Sequence, residues 1–318
     1  MRVEAYQHGI YPRSEDVVAA TRGLERGRTT IEEVDAAFAR DREDFVAVQR
    51  EAGLDYVSDG LLRWQDLFRP LVDATPGLEA RTLVRWFDNN SFFRAPEVTG
   101  DLAISIPLPD VFAPDAIPAP RLATLPSPYL FSRATQFSGD RDTLMKDVAR
   151  EVLAPVAGAL SVRGYEVIQL QEPWVVSTGI EGESWADLEK ALTEIRSAVD
   201  GKAALVLHTF FGDAGPHVDR LRTLPVDALG VDFVETDPSS LGARWEIGLL
   251  AGCLDGRSSL MERPEAAAAS VRRAAEQTGA PFLILSSASD LELLPRDLAR
   301  DKVRLLGEIR GRIREELS

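Results

Sequence analysis

The chain is poor in cysteine, in excess positive charge and in long apolar runs. Its one cysteine, Cys253, can form no internal disulfide and cannot alone supply a thiolate-rich zinc site. Lys and Arg number 36 against 51 Asp and Glu, and the net charge of −15 argues against a nucleic-acid partner, because phosphate contacts need clustered base. The run "IGLLAGCL" (247–254) is far too short to span a membrane. The N-terminus, "MRVEAYQHGIYPRS", lacks the apolar stretch of a secretion signal, so a cytoplasmic protein is expected. A length of 318 residues suits one large α/β barrel.

What is present is alternation. "VEAYQHG" (3–9), "DYVSDG" (55–60) and "LVRWFDNN" (83–90) read as strands, the last followed by a hairpin-like stretch through "GDLAISI". Ser14 and Thr30 read as helix caps, with "SEDV" and "TIEE" placing acids in the first turn. The proline-rich stretch 107–128 reads as an ordered excursion leading into a strand near "LATLPSPYLF". A long helix is expected from about Arg141 to Val162, stopped by Gly164. In the second half, "EVIQLQEP", "ALVLHTFF", "ALGVDFVET", "EIGLLAGCL" and "PFLILSS" are strand-like and separated by helical patterns. Continuous apolar strands alternating with helices imply parallel strands covered on both sides. The expectation is a single (β/α)8 barrel over 1–318, with a β-hairpin excursion after the third strand. Nine candidate strands compete for its eight places, so one, in 83–106 or 246–254, must lie outside the ring.

In such barrels the chemistry sits where strands give way to βα loops. The residues there are His8, Asp59, Gln171 with Glu172, His208, Glu235 with Asp237, and Ser286 to Asp290. His208, closing "LVLH", reads as a general base or metal ligand paired with Glu235, or as a ring packed under a loop. His8 reads as a turn histidine, or as the third member of a His8, His208 and Glu235 set suited to zinc, iron or manganese. Gln171 beside Glu172 suits hydrogen bonding to an amide or pterin-like ring. Asp59 and Asp66 flank a helix start, and Asp66 has Arg63 and Arg69 within reach along the chain. Arg13 and Arg94 are candidates for an anionic group. Trp64, Trp86 and Trp174 fall near strand ends, where they either line a site for a flat ring or pack the core. His217 reads as a solvent-side helix start, and Cys253 as a buried apolar residue.

Seven segments, in order, carry a resemblance: "HGIYPRS", "GLDYVSDGLLRWQD", "NSFFRAPEVTGD", "VIQLQEP", "HTFFG", "LPVDALGVDFVET" and "SASDLELLPRDLARDKVRLL". With them the chain resembles the C-terminal catalytic barrel of the cobalamin-independent methionine synthase family, including its stand-alone single-barrel members. That resemblance implies a barrel related to uroporphyrinogen decarboxylase. It implies methyl transfer from a methylated folate, or a corrinoid donor, to homocysteine held on zinc. The family's ligand positions fall on His208, Phe210, Glu235 and Ser289, so both cysteine ligands are replaced. Ile10, Leu61 and Gln171 replace a serine and two acids of the amino-acid pocket, while Pro12, Asp66, Arg94 and Glu172 match. The expectation is a diverged pocket with His208, Glu235 and Glu172 as its central polar set. Gln171, Asp59, Asp66, Arg13, Arg94 and Trp174 are then expected around a small-molecule substrate. A metal-independent lyase, decarboxylase or demethylase is the second reading, and a non-catalytic ligand-binding partner subunit the third. The sequence is compatible with an oligomer.

Overall fold

The computed structural model describes residues 1–105, 112 and 114–316. Among the described residues nine strands form: β1 (Arg2–Ala5), β2 (Leu78–Arg85), β3 (Phe92–Val98), β4 (Arg121–Pro126), β5 (Tyr165–Gln171), β6 (Ala204–Thr209), β7 (Ala228–Asp232), β8 (Gly248–Leu254) and β9 (Phe282–Ser287). Seven of them make one curled parallel sheet in the order β1-β9-β8-β7-β6-β5-β4. This is the consecutive winding expected of repeated strand–helix units.

The margins of that sheet, β1 and β4, are spanned by the segment around Val57. Asp55 N donates to Ala5 O (2.9 Å) on one side. On the other, Val57 N donates to Pro120 O (2.9 Å) and Leu122 N to Val57 O (3.0 Å). The expected second strand is therefore reduced to a single parallel bridge, Val57 to Arg121. Its own composition explains this: Asp55, Ser58 and Asp59 turn to side-chain hydrogen bonds, and Gly60 takes a positive φ.

The stretch expected as the third strand is instead part of a separate antiparallel hairpin, β2 with β3. It follows the second place in the order, not the third, and "GLLAGCL" is an interior strand, β8. Phe93 and Ala95 of β3 are buried, while most of β2 faces outward. Of the proline-rich stretch, residues 107–111 and 113 lie outside the described residues; Pro114–Ala116 forms a 3-10 turn before β4.

The caps form as read. Thr30 and Glu33 make a reciprocal capping box, and Ser14 accepts from Val17 N. The long helix is continuous from 141 to 162 but swells into a π turn at Ala149–Leu153. Pro155 has no N–H to give the carbonyl of Glu151, which accepts from Ile104 N instead (3.1 Å). Inside the curl, Tyr6, Leu122, Val167, Val206, Ala228, Leu250 and Ile284 form an apolar plug distinct from the core between sheet and helices. Among the described residues no helix is long and apolar enough to cross a membrane.

Candidate active site

Above the apolar plug the inner face turns polar. On β5 the period of two puts Gln169 and Gln171 inward, and on β6 it puts His208 beside them. His208 is fully buried. Its Nδ1 lies 3.1 Å from Gln169 Nε2, and its Nε2 has no partner among the described residues. Burial, and then the nearby His8, push its pKa well below the ordinary histidine value, so the ring is neutral. His8 meets it edge-on, with ring centroids 4.7 Å apart. His8 Nε2 faces Ser287 O (3.2 Å), and its Nδ1 faces Gln171 Nε2 (3.4 Å) and Asp290 Oδ1 (3.5 Å). Gln171 Nε2 also donates to Asp290 Oδ1 (2.5 Å). Two glycines make this junction possible. A Cβ on Gly9 would lie 1.8 Å from Asp290 Oδ1, and one on Gly230 would lie 2.5 Å from His208 Cδ2.

Glu172 is not presented to this cavity. Its Oε2 accepts from Ser127 Oγ and from Leu130 N (3.0 Å), and its Oε1 accepts from Val175 N (3.0 Å). One carboxyl thus caps two helices, Pro128–Ala134 and Trp174–Ser177. Its role here is positioning.

Aromatic rings close the mouth. Phe87, at the hairpin tip, packs against Trp174 (5.6 Å) and Phe211 (5.8 Å), and Phe211 against Phe210 (4.7 Å), which contacts His208 (5.5 Å). Phe87 and Phe211 have φ of 48° and 65°, and Leu61, after the Val57 segment, has 48°. Left-handed bulky residues are strained and persist where surrounding contacts hold them. For Phe211 the holder is Asp232, which accepts from Phe211 N (3.2 Å) and Val234 N (2.8 Å).

Other expected residues fall elsewhere. Glu235 lies three residues beyond β7, its side chain 38% exposed and ion-paired with Arg257. Among the described residues no three His, Cys, Asp or Glu side chains are placed to hold a metal ion, so the set of His8, His208 and Glu235 does not assemble. His8 is not a turn histidine at the surface either; it is buried against His208. Arg94 points away from the mouth, donating to Arg81 O (2.9 Å). Arg13 braces the loop after Val57, donating to Leu62 O (2.7 Å) and Trp64 O. Among the described residues Asp66 bonds no arginine side chain. It accepts from the backbone of Phe68, Arg69 and Arg94, tying the hairpin to the short helix Arg69–Asp73. It also lines a narrow cleft with Ile10, Trp86, Asp290 and Glu292. Asp59 accepts from Leu61 N (3.0 Å) and holds that turn. Trp64 is core, Trp174 walls the mouth, and His217 ends a 3-10 turn. Cys253 is half-buried, and burial raises its thiol to about 12, which keeps it protonated.

Gln169, Asp232 and Glu292 went unread in the sequence. For Gln169 the signal was there: "QLQ" puts two amides on one face of an apolar strand.

Burial raises Glu172 and Glu292 to about 7 and Asp59 and Asp232 to about 6, with Asp290 adding to the effect on Glu292. Raised carboxyls stabilise the fold at low pH, and that contribution is lost as pH rises through 6 to 7. His208, lowered, contributes above its unfolded value and loses that contribution as pH falls. Four carboxyls outweigh one imidazole. The urea midpoint is expected to be higher at pH 6 than at pH 8, and a lower midpoint at pH 6 would contradict the burial of these groups.

The family model for the N-terminal domain of cobalamin-independent synthase matches residues 74–279, well over half the chain. The chain belongs to the cobalamin-independent synthase family. The motifs had pointed to the C-terminal catalytic barrel, whereas the matching model carries the N-terminal domain's description. The chain is 27% identical to a methionine synthase of Sulfolobus acidocaldarius, over 97% of this chain and 91% of that protein. It is 27% identical to a 5-methyltetrahydropteroyltriglutamate–homocysteine methyltransferase of Mycobacterium bovis, over 78% of this chain and 37% of that protein. It therefore spans little more than a third of that longer relative. A B12-independent methionine synthase from Shewanella sp. W3-18-1, solved with selenomethionine, superimposes with a TM-score of 0.76 at 18% identity, covering 99% of this chain and 98% of that one. A putative vitamin-B12 independent methionine synthase from Listeria monocytogenes gives 0.78 at 18% identity, covering 98% and 99%. These two likenesses establish a shared fold.

Proposed function

We propose that this chain is a methyltransferase of the methionine synthase type, moving a methyl group from a methylated folate or corrinoid donor to a thiol such as homocysteine. We read 1–318 as a single (β/α)8 barrel whose eighth place is the Val57 segment. The observation that carries the reading is His208, a neutral imidazole with an unpartnered Nε2, buried at the C-terminal end of β6 in a family member.

The zinc implied by the family does not fit the residues present. His208 and Glu235 do not converge with a third donor, and Phe210 and Ser289 occupy the positions where the family pattern has cysteine. We therefore derive no step through a metal. In this reading His208 holds the sulfur as a hydrogen-bond donor: Gln169 Nε2 donates to Nδ1, so the ring proton sits on the unpartnered Nε2, and the thiol gives up its own proton as the S–CH3 bond forms. The sulfur forms its S–CH3 bond as the donor's bond to the methyl breaks. With a folate donor, the departing nitrogen takes up a proton. Gln171 and Gln169, whose Oε1 atoms lack partners, offer amide groups to a ligand. A ring of aromatic side chains over His208 also suits metal-free chemistry on a flat conjugated substrate, which is the second reading.

The test is methionine formation from homocysteine and methylated pteroyltriglutamate by the purified full chain, with zinc measured in the same sample. The expected result is thiol methylation with zinc below about a tenth of an equivalent, far under what a structural-affinity site retains. Stoichiometric zinc would overturn the diverged pocket. No methylation of homocysteine or other thiols with either donor would overturn the methyltransferase reading.

A further inference from the structure

A second pocket, of about 520 Å3, opens beside the mouth between the helices Pro128–Ala134 and Trp174–Ser177. Its size is within the range of small-molecule sites. Tyr129 and Trp174 supply aromatic walls, and Arg133 and Arg141 supply the charge. Both walls are held rigidly. Each helix starts at the Glu172 carboxyl, and Tyr129 Oη donates to Gly179 O (3.1 Å) across the pocket.

The two arginines are held in different ways. Arg141 Nη1 donates to the carbonyls of Ser132 (2.9 Å), Arg133 (3.3 Å) and Thr135 (2.9 Å). This locks the guanidinium but neutralises none of its charge, and among the described residues it has no carboxylate partner. Its Nε and Nη2 edge has no acceptor among the described residues. Arg133 lies over the Tyr129 ring at 4.7 Å and bonds Asp142 (2.9 Å) through Nη2, while its Nε is buried with no partner. Trp174 makes no hydrogen bond through its indole N–H among the described residues. Arg141 thus brings a positive charge, held in place by backbone carbonyls alone, to the wall of the pocket.

We propose that this pocket binds a flat aromatic ligand bearing a carboxylate, with the ring against Trp174 and the carboxylate on the free edge of Arg141. The planar fork of a guanidinium matches a carboxylate in two parallel hydrogen bonds, and an indole face suits a conjugated ring. Glu181 stands on the rim and disfavours a second negative charge on the ligand. This assignment does not depend on which reaction the barrel centre performs.

The experiment is calorimetric titration of the full chain with 2-naphthoate, with neutral 2-naphthol and inorganic phosphate as controls. Saturable binding of 2-naphthoate is expected, with 2-naphthol and phosphate each weaker by about tenfold or more. Arg141→Gln should weaken 2-naphthoate by about tenfold, and Trp174→Leu by about fivefold. Glu181→Gln should tighten it by about twofold to fivefold. Because Arg141 also caps a helix end, its unfolding midpoint is measured, and Trp174→Leu and Glu181→Gln test the site without that cap. No saturable binding, equal binding of acid and naphthol, or affinity unmoved by Trp174→Leu and Glu181→Gln would each overturn the proposal.

Discussion

Gly230→Ala is expected to destabilise the fold by about 3 kcal/mol, at the upper end of overpacking costs. The added Cβ would lie 2.5 Å from Cδ2 and 2.8 Å from Cγ of His208, and 3.0 Å from its Cα. The ring has no room to yield, since Gln169 lies on one side and His8 packs edge-on at the other. The companion variant Gly230→Ala/His208→Ala removes the ring and should regain about half the loss, the contact with Cα persisting. Urea unfolding of the three proteins measures this. A Gly230→Ala midpoint matching the parent would mean that His208 does not lie across β7.

Glu172→Ala should cost about 3–5 kcal/mol at pH 5, because it leaves Val175 N without its acceptor, removes one from Leu130 N and deprives the Ser127 hydroxyl of its acceptor. The loss should shrink as pH rises. In the parent, the carboxyl raised from 4.5 to about 7 makes ionisation unfavourable in the fold, and this erodes stability by about 3 kcal/mol between pH 5 and well above 7. The variant has no such erosion at this position. Denaturation at pH 5 and pH 8 decides the matter. A loss that grows with pH would mean that the carboxylate is ionised and well solvated, contrary to its complete burial.

The regular parts were legible because local chemistry and long-range packing agree there. Ser14, Thr30 and the strands from β5 onward follow cap and period rules that tertiary structure leaves intact. His208 and Gln171 were placed correctly at strand ends because the period of two still holds at those positions. Glu235 was not, because it lies three residues past the end of β7, where the loop backbone turns it outward to Arg257. Arg94 belongs to the hairpin, whose arms obey their own antiparallel register. The direction of His8 was out of reach for a similar reason: Gly9, with φ of 72°, bends the chain just past β1. The capping work of Glu172 joins two helices distant in sequence, and no local pattern records such a meeting.

The curled sheet is sewn along six of its neighbour contacts by ladders of several residues each, but the Val57 segment holds its two margins by three backbone hydrogen bonds. Such a seam is the low-stability line of the molecule. Opening of the curled sheet is expected to begin there, beside Leu61 and the turn braced by Arg13. The wall opposite, carrying β6 and His208, can then stay fixed while the gap widens.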